Sequence, residues 1–417
     1  MIASLKQPAL GLRANLPQFA LLMLVNAFVG SMVGLERAVL PVLAVQDFHV
    51  AAATAVLGFI VSFGLIKALT NLAAGGLADA LGRKRVLVVG WLFALPVPLI
   101  ILAAPSWGWV IAANAFLGVN QGLCWSLTVN MKADLVGPQR RGLALGLNET
   151  AGYASAGVAA LVSAPLAAAF GLRQGPFGLA AIVAVAGLVV SLLLVHETRP
   201  HVAVEYQEAS PQRLQRLSGG IGSLRTWLDR DLLACSQAGL VNNLNDVVAW
   251  GLLPLMLLSR GLRLGQIAVV SGGYALSWGL LQTGTGALSD RWGRRGLIVG
   301  GMLVQGLALA AISQVSGLGP WLFAAVVMGA GTAMVYPTLL AAVGDIAAPE
   351  KRASGVGIYR LWRDLGYPLG AVVAGLLADL AGIPVSILAI GVLTAASGLV
   401  AAGLLRETRP EYKLVPR

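Results

Sequence analysis

Apolar runs of roughly twenty residues or more follow one another along the whole chain, broken by short loops and one polar stretch. A helix rises 1.5 Å per residue, so a run of that length crosses the ~30 Å hydrocarbon core of a bilayer. Charged residues are 11% of the 417, against roughly 25% in a soluble domain, and hydrophobic residues are 57%. Mean hydropathy is +0.80. The runs are continuous and do not alternate in segments of about ten residues, which excludes a transmembrane β-barrel. An all-α polytopic membrane protein is expected.

Gly, Pro and charge breaks delimit twelve spans. The first six fall at roughly 17–43, 51–77, 86–104, 107–132, 143–170 and 176–196. The second six fall at roughly 231–258, 266–289, 296–315, 319–344, 353–380 and 384–405. The domains read from this are a six-helix bundle at 1–196, a cytoplasmic linker at 197–230, a second bundle at 231–405 and a tail at 406–417. Glu205, Glu208, Arg213, Arg216, Arg225, Asp229 and Arg230 make the linker a solvated stretch with room for one amphipathic surface helix. The terminal Leu414–Arg417, Leu-Val-Pro-Arg, matches what a thrombin cut leaves of a purification tag. No cleavable signal peptide is expected, because the first run is too long and no small-residue cleavage site follows it.

The basic residues set the orientation. With the N-terminus inside, 22 of the 29 Lys and Arg fall in cytoplasmic segments, and only Arg173, Arg260 and Arg263 fall outside. That bias puts both termini in the cytoplasm of a cell-membrane (inner-membrane) protein. Most of the +11 net charge is thus topological, and no nucleic-acid partner is expected. Cys124 and Cys235 are too few for a disulfide framework, and with His49, His196 and His201 they form no metal-binding spacing. No metal or other cofactor is expected.

The two halves repeat one another. Gly75, Asp79, Gly82 and Arg83 recur 211 residues later as Gly286, Asp290, Gly293 and Arg294. Asp134, Pro138 and Arg141 recur at the same shift as Asp345, Pro349 and Arg352. Glu197-Thr198-Arg199-Pro200 returns as Glu407-Thr408-Arg409-Pro410. Three loops in near-constant register imply a duplicated six-helix unit in parallel topology, with a binding site near the midplane between the halves.

These features resemble the major facilitator superfamily (MFS). The resemblance covers essentially the whole chain and rests on the duplication, the central linker and the doubled Gly-x-Leu-Ala/Ser-Asp-x-x-Gly-Arg-Lys/Arg signature. It implies the MFS fold, alternating access, and a switching role for Gly75, Asp79, Gly82, Arg83, Asp290 and Arg294 through contacts with neighbouring helix ends. A carboxylate flanked by guanidinium groups can be bridged in one conformation and released in another. Two departures stand against the drug/proton antiporters of that family. Asn114 occupies the place of their span-four Arg, and 152–165 carries no Gly-Pro pair.

Charge inside a span is costly and marks function. Lys67 lies about 18 Å from the cytoplasmic end of its span, on one stripe with Asn71 and Gly75. Tyr359, Arg360, Arg363 and Asp364 form the densest constellation. Arg360, Arg363 and Asp364 share a face, where Arg360 can pair with Asp364 at i,i+4 and leave Arg363 as a bidentate fork for an anion. A buried structural ion network fits the same residues. Glu149 sits at the depth of Arg360 in the other half and could bridge to it. Asn242 and Asp246 share a face of the seventh span, and Asn114 and Gln121 share a stripe with Gly118. Glu36 and Arg37 sit toward the outer end of the first span, as a gate or an interfacial pair.

The substrate-binding candidates are therefore Lys67, Asn71, Asn114, Gln121, Asn242, Asp246, Tyr359, Arg360 and Arg363, and the proton carriers Glu149, Asp246 and Asp364. The expected function is secondary active transport of a small polar solute, anionic or zwitterionic, with a proton as candidate coupling ion and a monomer as working unit. The alternative is a proton-coupled drug exporter. No nucleotide-binding motif is present. A membrane enzyme would need a nucleophile with its base, paired carboxylates or a metal site, and no such set is evident.

Overall fold

The computed structural model describes residues 9–137, 141–208, 229–346 and 352–409. Arg213, Arg216 and Arg225 of the linker, the loop prolines Pro138 and Pro349, and Leu414–Arg417 lie outside the described residues, as do the side chains of Arg141 and Arg352. Among the described residues, twelve helices are long and apolar enough to cross a membrane. The first six are α1 Leu16–Gln46, α2 Gly58–Leu81, α3 Arg83–Ala103, α4 Trp107–Val136, α5 Ala144–Phe170 and α6 Gln174–Leu193. The second six are α7 Arg230–Ser259, α8 Leu264–Trp292, α9 Arg294–Gln314, α10 Leu318–Ile346, α11 Val356–Ala381 and α12 Ile383–Leu404. Helices dominate because a lipid-facing backbone has no water to bond and must satisfy itself internally. A ten-residue helix, Arg199–Glu208, stands where the linker was expected to carry one.

One departure from regular helix matters for the site. In α7 a π-turn runs over Val248–Leu252, where the Leu253 N–H reaches back five residues to the Val248 carbonyl. Pro254 follows, and its ring would clash with the carbonyl four residues before it, at Trp250. The widened turn relieves that clash, and Trp250 within it lies against the rings of Tyr274, Trp278 and Tyr367.

Small residues make the seams. Gly30 and Gly34 of α1 lie on the backbone of α5 at Gly152 and Ala156, where no Cβ would fit. Across the halves, Gly279 of α8 packs on Tyr153 and Ala154 of α5, and Gly64 of α2 lies under Tyr367 and Pro368 of α11. Close approach of this kind is how helices associate where the solvent is as apolar as the side chains.

The halves meet at the face opposite the duplicated loops. There Asp379 of α11 accepts hydrogen bonds from the N–H groups of Ala53 (2.6 Å) and Thr54 (3.0 Å) and from the Thr54 hydroxyl (2.5 Å). Leu57 is fully buried and packs on Gly251 of α7. Toward the duplicated loops they diverge: a Cβ added at Gly75, Gly76, Gly284 or Gly357 would meet nothing within 4 Å. Between α2 and α11 a cavity lined by Leu72, Val356, Gly357 and Arg360 lies on that side.

Candidate functional site

A central cavity is bounded by α2, α4, α5, α10 and α11. Lys67 and Asn71 enter from α2, Trp125 and Ser126 from α4, and Glu149 and Tyr153 from α5. The second half contributes Tyr336 from α10 and Arg360 and Arg363 from α11. Each α2 and α11 residue recurs at helical spacing, so one face of each helix lines the site.

The polar groups divide into a locked set and a free set. Asp364 is buried, and its Oδ1 accepts from Arg363 Nε (2.9 Å) and Nη2 (2.7 Å). Its Oδ2 accepts from the amide of Asn71 at 2.7 Å, tying α11 to α2. Asn71 Oδ1 in turn accepts from the Ser126 hydroxyl at 2.9 Å. Arg363 also donates to the Tyr336 hydroxyl at 2.9 Å. This corrects the expected pairing: Arg363, not Arg360, holds Asp364. Adjacent residues on a helix leave the backbone about 100° apart, but long side chains reach back, and Tyr336 and Asn71 draw both groups to one side.

Arg360 remains free. It makes no hydrogen bond or ion pair among the described residues, and its buried Nε has no partner. The expected bridge from Glu149 to Arg360 is not formed in this state. Glu149 Oε1 accepts from Trp125 Nε1 (2.8 Å) and the Asn148 amide (3.1 Å), and its Oε2 is buried without a partner. Lys67 is 9% exposed and forms no ion pair among the described residues. Its ammonium lies over the rings of Tyr367 (5.1 Å), Phe63 (5.4 Å) and Trp125 (5.9 Å). Aromatic faces attract a cation but leave its N–H donors unused. With Arg363 and Asp364 neutralising one another, two cations face one acid.

Rings wall the rest of the cavity. Tyr153 stacks on Trp278 with centroids 3.5 Å apart and meets Trp125 at 5.0 Å and Tyr336 at 5.8 Å. Tyr153, Tyr336 and Tyr367 were not among the sequence candidates. An aromatic inside an apolar span has no pattern that separates cavity wall from packing; only Arg363 with its spare donors hinted at a hydroxyl opposite.

Several sequence candidates lie elsewhere. Asp246 is fully buried one turn before Trp250, accepting from the hydroxyls of Tyr367 (2.9 Å) and Tyr274. Asn242 accepts from the Gln305 amide at 3.0 Å, in a network with Asn245, Thr332 and Thr394 that joins α7, α9, α10 and α12. Tyr359 packs on Gly239 inside the second bundle. Asn114 donates to the Val110 carbonyl at 3.1 Å, inside α4. Gln121 donates to the Val29 carbonyl at 2.8 Å and borders a smaller cavity that Lys67 also lines. Glu36 and Arg37 are 1% and 2% exposed, which rules out an interfacial pair.

The duplicated loops are built alike. Arg83 pairs with Asp79 (3.1 Å) and with Asp134 at the end of α4 (2.9 Å); Arg294 pairs with Asp290 (2.6 Å) and Asp345 at the end of α10 (3.2 Å). Gly82 and Gly293 have φ of +99° and +98°, a region that suits glycine. Beside them Glu197 accepts the N–H groups of Arg83 (3.2 Å) and Lys84 (3.1 Å), and Glu407 accepts those of Arg294 (2.8 Å) and Arg295 (3.2 Å). The repeated Glu-Thr-Arg-Pro segment is thus a carboxylate cap on α3 and on α9, where the N–H groups have no helical acceptor. Gly75, by contrast, has open space beside it, and nothing in the structure explains a requirement for glycine there.

The family profile described as Major Facilitator Superfamily matches residues 19–230 and 236–417. The 3-(3-hydroxy-phenyl)propionate transporter of Escherichia coli (strain K12) is 30% identical over 84% of this chain and 83% of its own. YhhS of Escherichia coli O157:H7, an uncharacterized MFS-type transporter, is 26% identical over 97% of this chain and 95% of its own. A POT family transporter crystallised with 5-aminolevulinic acid shares the fold, with a TM-score of 0.74 over 92% of this chain and 95% of its own at 15% identity. The protein is a multi-pass membrane transporter of small molecules and not an enzyme. Profile, relatives, duplication and architecture agree: the chain belongs to the major facilitator superfamily.

Proposed function

We propose that the chain moves a small organic anion, an aromatic carboxylate, across the cell membrane by alternating access, drawing on a gradient. The observation that carries this is the free pair Lys67 and Arg360 in a cavity walled by Trp125, Tyr153 and Tyr336. Two unpaired cations suit a carboxylate, and Arg supplies a planar fork for it. The rings suit an aryl group and exclude water around the charge pair. The relative named for 3-(3-hydroxyphenyl)propionate supports the same class. The halves diverge toward the duplicated loops, which the charge bias assigns to the cytoplasm together with both termini. Lys67, Asn71 and Arg360 contact solute, while Asp79, Arg83, Asp290 and Arg294 serve the switch.

The test is binding and flux. Purified protein should gain thermal stability with rising 3-(3-hydroxyphenyl)propionate, because a ligand of the folded state stabilises it by mass action. Proteoliposomes should exchange the labelled acid, and its uncharged amide should neither stabilise nor compete. Stabilisation by a lipophilic cation in place of the acid would instead support a drug exporter using Glu149.

A further inference from the structure

We propose that the seam between α2 and α11 is a side port onto Arg360, taking from the bilayer a carboxylate whose single hydrocarbon chain stays between the two helices. This deepens the reading of Arg360 as a cation of the solute site and rests on it.

Two seams join the halves, α2 with α11 and α5 with α8, and the 211-residue repeat makes them counterparts. Their registers agree to within one residue: Gly157 of α5 lies on Leu276 of α8, and its counterpart Pro368 lies on Gly64 of α2. Two turns nearer the duplicated loops the seams differ. In one, the hydroxyls of Thr150 and Thr283 bond to each other at 2.7 Å and close it. The counterparts of those threonines are Leu361 and Leu72, whose side chains cannot make that bond. A cavity of about 160 Å³ lies there instead, lined by both leucines and by Asn71, Val356 and Arg360.

The outer lip of this cavity faces lipid. Leu72 stands about 10 Å along α2 from Asp79, within the hydrocarbon layer. It is 66% exposed, and Leu69 and Trp362, next along the two helices, are 55% and 38% exposed. At the inner end, Asn71 and Arg360 line both this cavity and the central one, which is smaller at about 30 Å³. The roomier side of the unpaired guanidinium is therefore the side toward the bilayer. Asp364, the acid on the same wall, is already taken up by Arg363 and Asn71. A carboxylate can accept the donors that Arg360 leaves unused, while the leucines give a hydrocarbon chain the surroundings it has in lipid. A cationic amphiphile would be repelled at Arg360, and a solute arriving from water gains nothing from an apolar lip. The helices touch again at Gly64 and Pro368, so the gap is short and suits one chain better than two.

Dodecanoate is the probe. In lipid nanodiscs, dodecanoate carrying a mid-chain diazirine should label residues 68–72 and 356–361 on illumination, and R360A should cut that labelling at least tenfold. Its uncharged methyl ester should not favour these segments. Labelling spread evenly over the lipid-facing helices, labelling unchanged in R360A, or labelling by a two-chain phosphatidate in place of dodecanoate overturns the proposal. The double substitution Leu72→Thr with Leu361→Thr gives this seam the hydroxyl pair of its counterpart. It should weaken competition by dodecanoate at least tenfold and leave 3-(3-hydroxyphenyl)propionate affinity within twofold of the parent. Should it fail to fold by thermal melt, Leu72→Trp, which fills the gap, takes its place. Competition by dodecanoate at the parent level in the folded variant overturns the port. If the aromatic acid binds and dodecanoate neither competes nor labels the seam, the port alone fails. If dodecanoate labels the seam through Arg360 and the aromatic acid does not bind, the aromatic-solute reading fails and the port stands.

Discussion

Arg363 closes its guanidinium on Oδ1 of its own neighbour Asp364, at 2.7 and 2.9 Å, and so leaves Arg360 as the uncommitted cation of α11. Two arginines three residues apart therefore have different jobs. Arg360→Ala removes a cation with no partner and should change stability by no more than ~1 kcal/mol, while weakening aromatic-carboxylate binding at least tenfold. Arg363→Ala strands a buried Asp364 and should cost about 3–5 kcal/mol of stability. Melting curves and titrations of both variants decide the matter. Wild-type affinity in Arg360→Ala would move the anion site elsewhere.

The face opposite the duplicated loops closes where Gly375 meets Thr54: a Cβ there would lie 2.7 Å from the Thr54 Cα. Gly375→Val should hold that face open, abolish transport and preserve solute binding. Asp379→Ala removes a cap shared between halves, worth about 1 kcal/mol, and should shift the balance the same way more weakly. A cysteine at Leu57, fully buried in the seam, reports on both. Equal maleimide labelling of parent and Gly375→Val would refute the assignment.

Glu197 and Glu407 cap α3 and α9 with the same geometry in the two halves. Glu197→Ala and Glu407→Ala should each lower stability by about 1 kcal/mol, and the double variant by the sum, since distant sites add. Glutamine should recover part of each loss. Unchanged melting in both single variants would show that the repeated segment does not act as a cap.

Orientation follows from loop charge and is checked by labelling. A cysteine at Lys84 should be shielded from an impermeant reagent in intact cells, and one at Ala51, on the opposite face, should be labelled. The reverse result would invert the topology.

The sequence alone determined the solvent in which this chain folds, the number of spans, the duplication and the family. Those depend on hydropathy and on short-range register, which survive without any knowledge of packing. It also picked out Lys67, Asn71, Glu149, Arg360 and Arg363, because charge inside a span has few explanations. What it could not decide is which side chain each of these meets. Side-chain direction from helical spacing reaches only as far as Cβ, while an arginine head lies several bonds beyond. The tertiary structure set Arg363 on Asp364 through Tyr336 and Asn71, and turned Asn242 and Tyr359 into the second bundle. It also buried Glu36 and set Arg37 over the rings of Phe59, Phe63 and Trp250. Each of these outcomes depends on residues more than twenty positions away in the chain, brought close by helix packing, and no local pattern encodes that proximity.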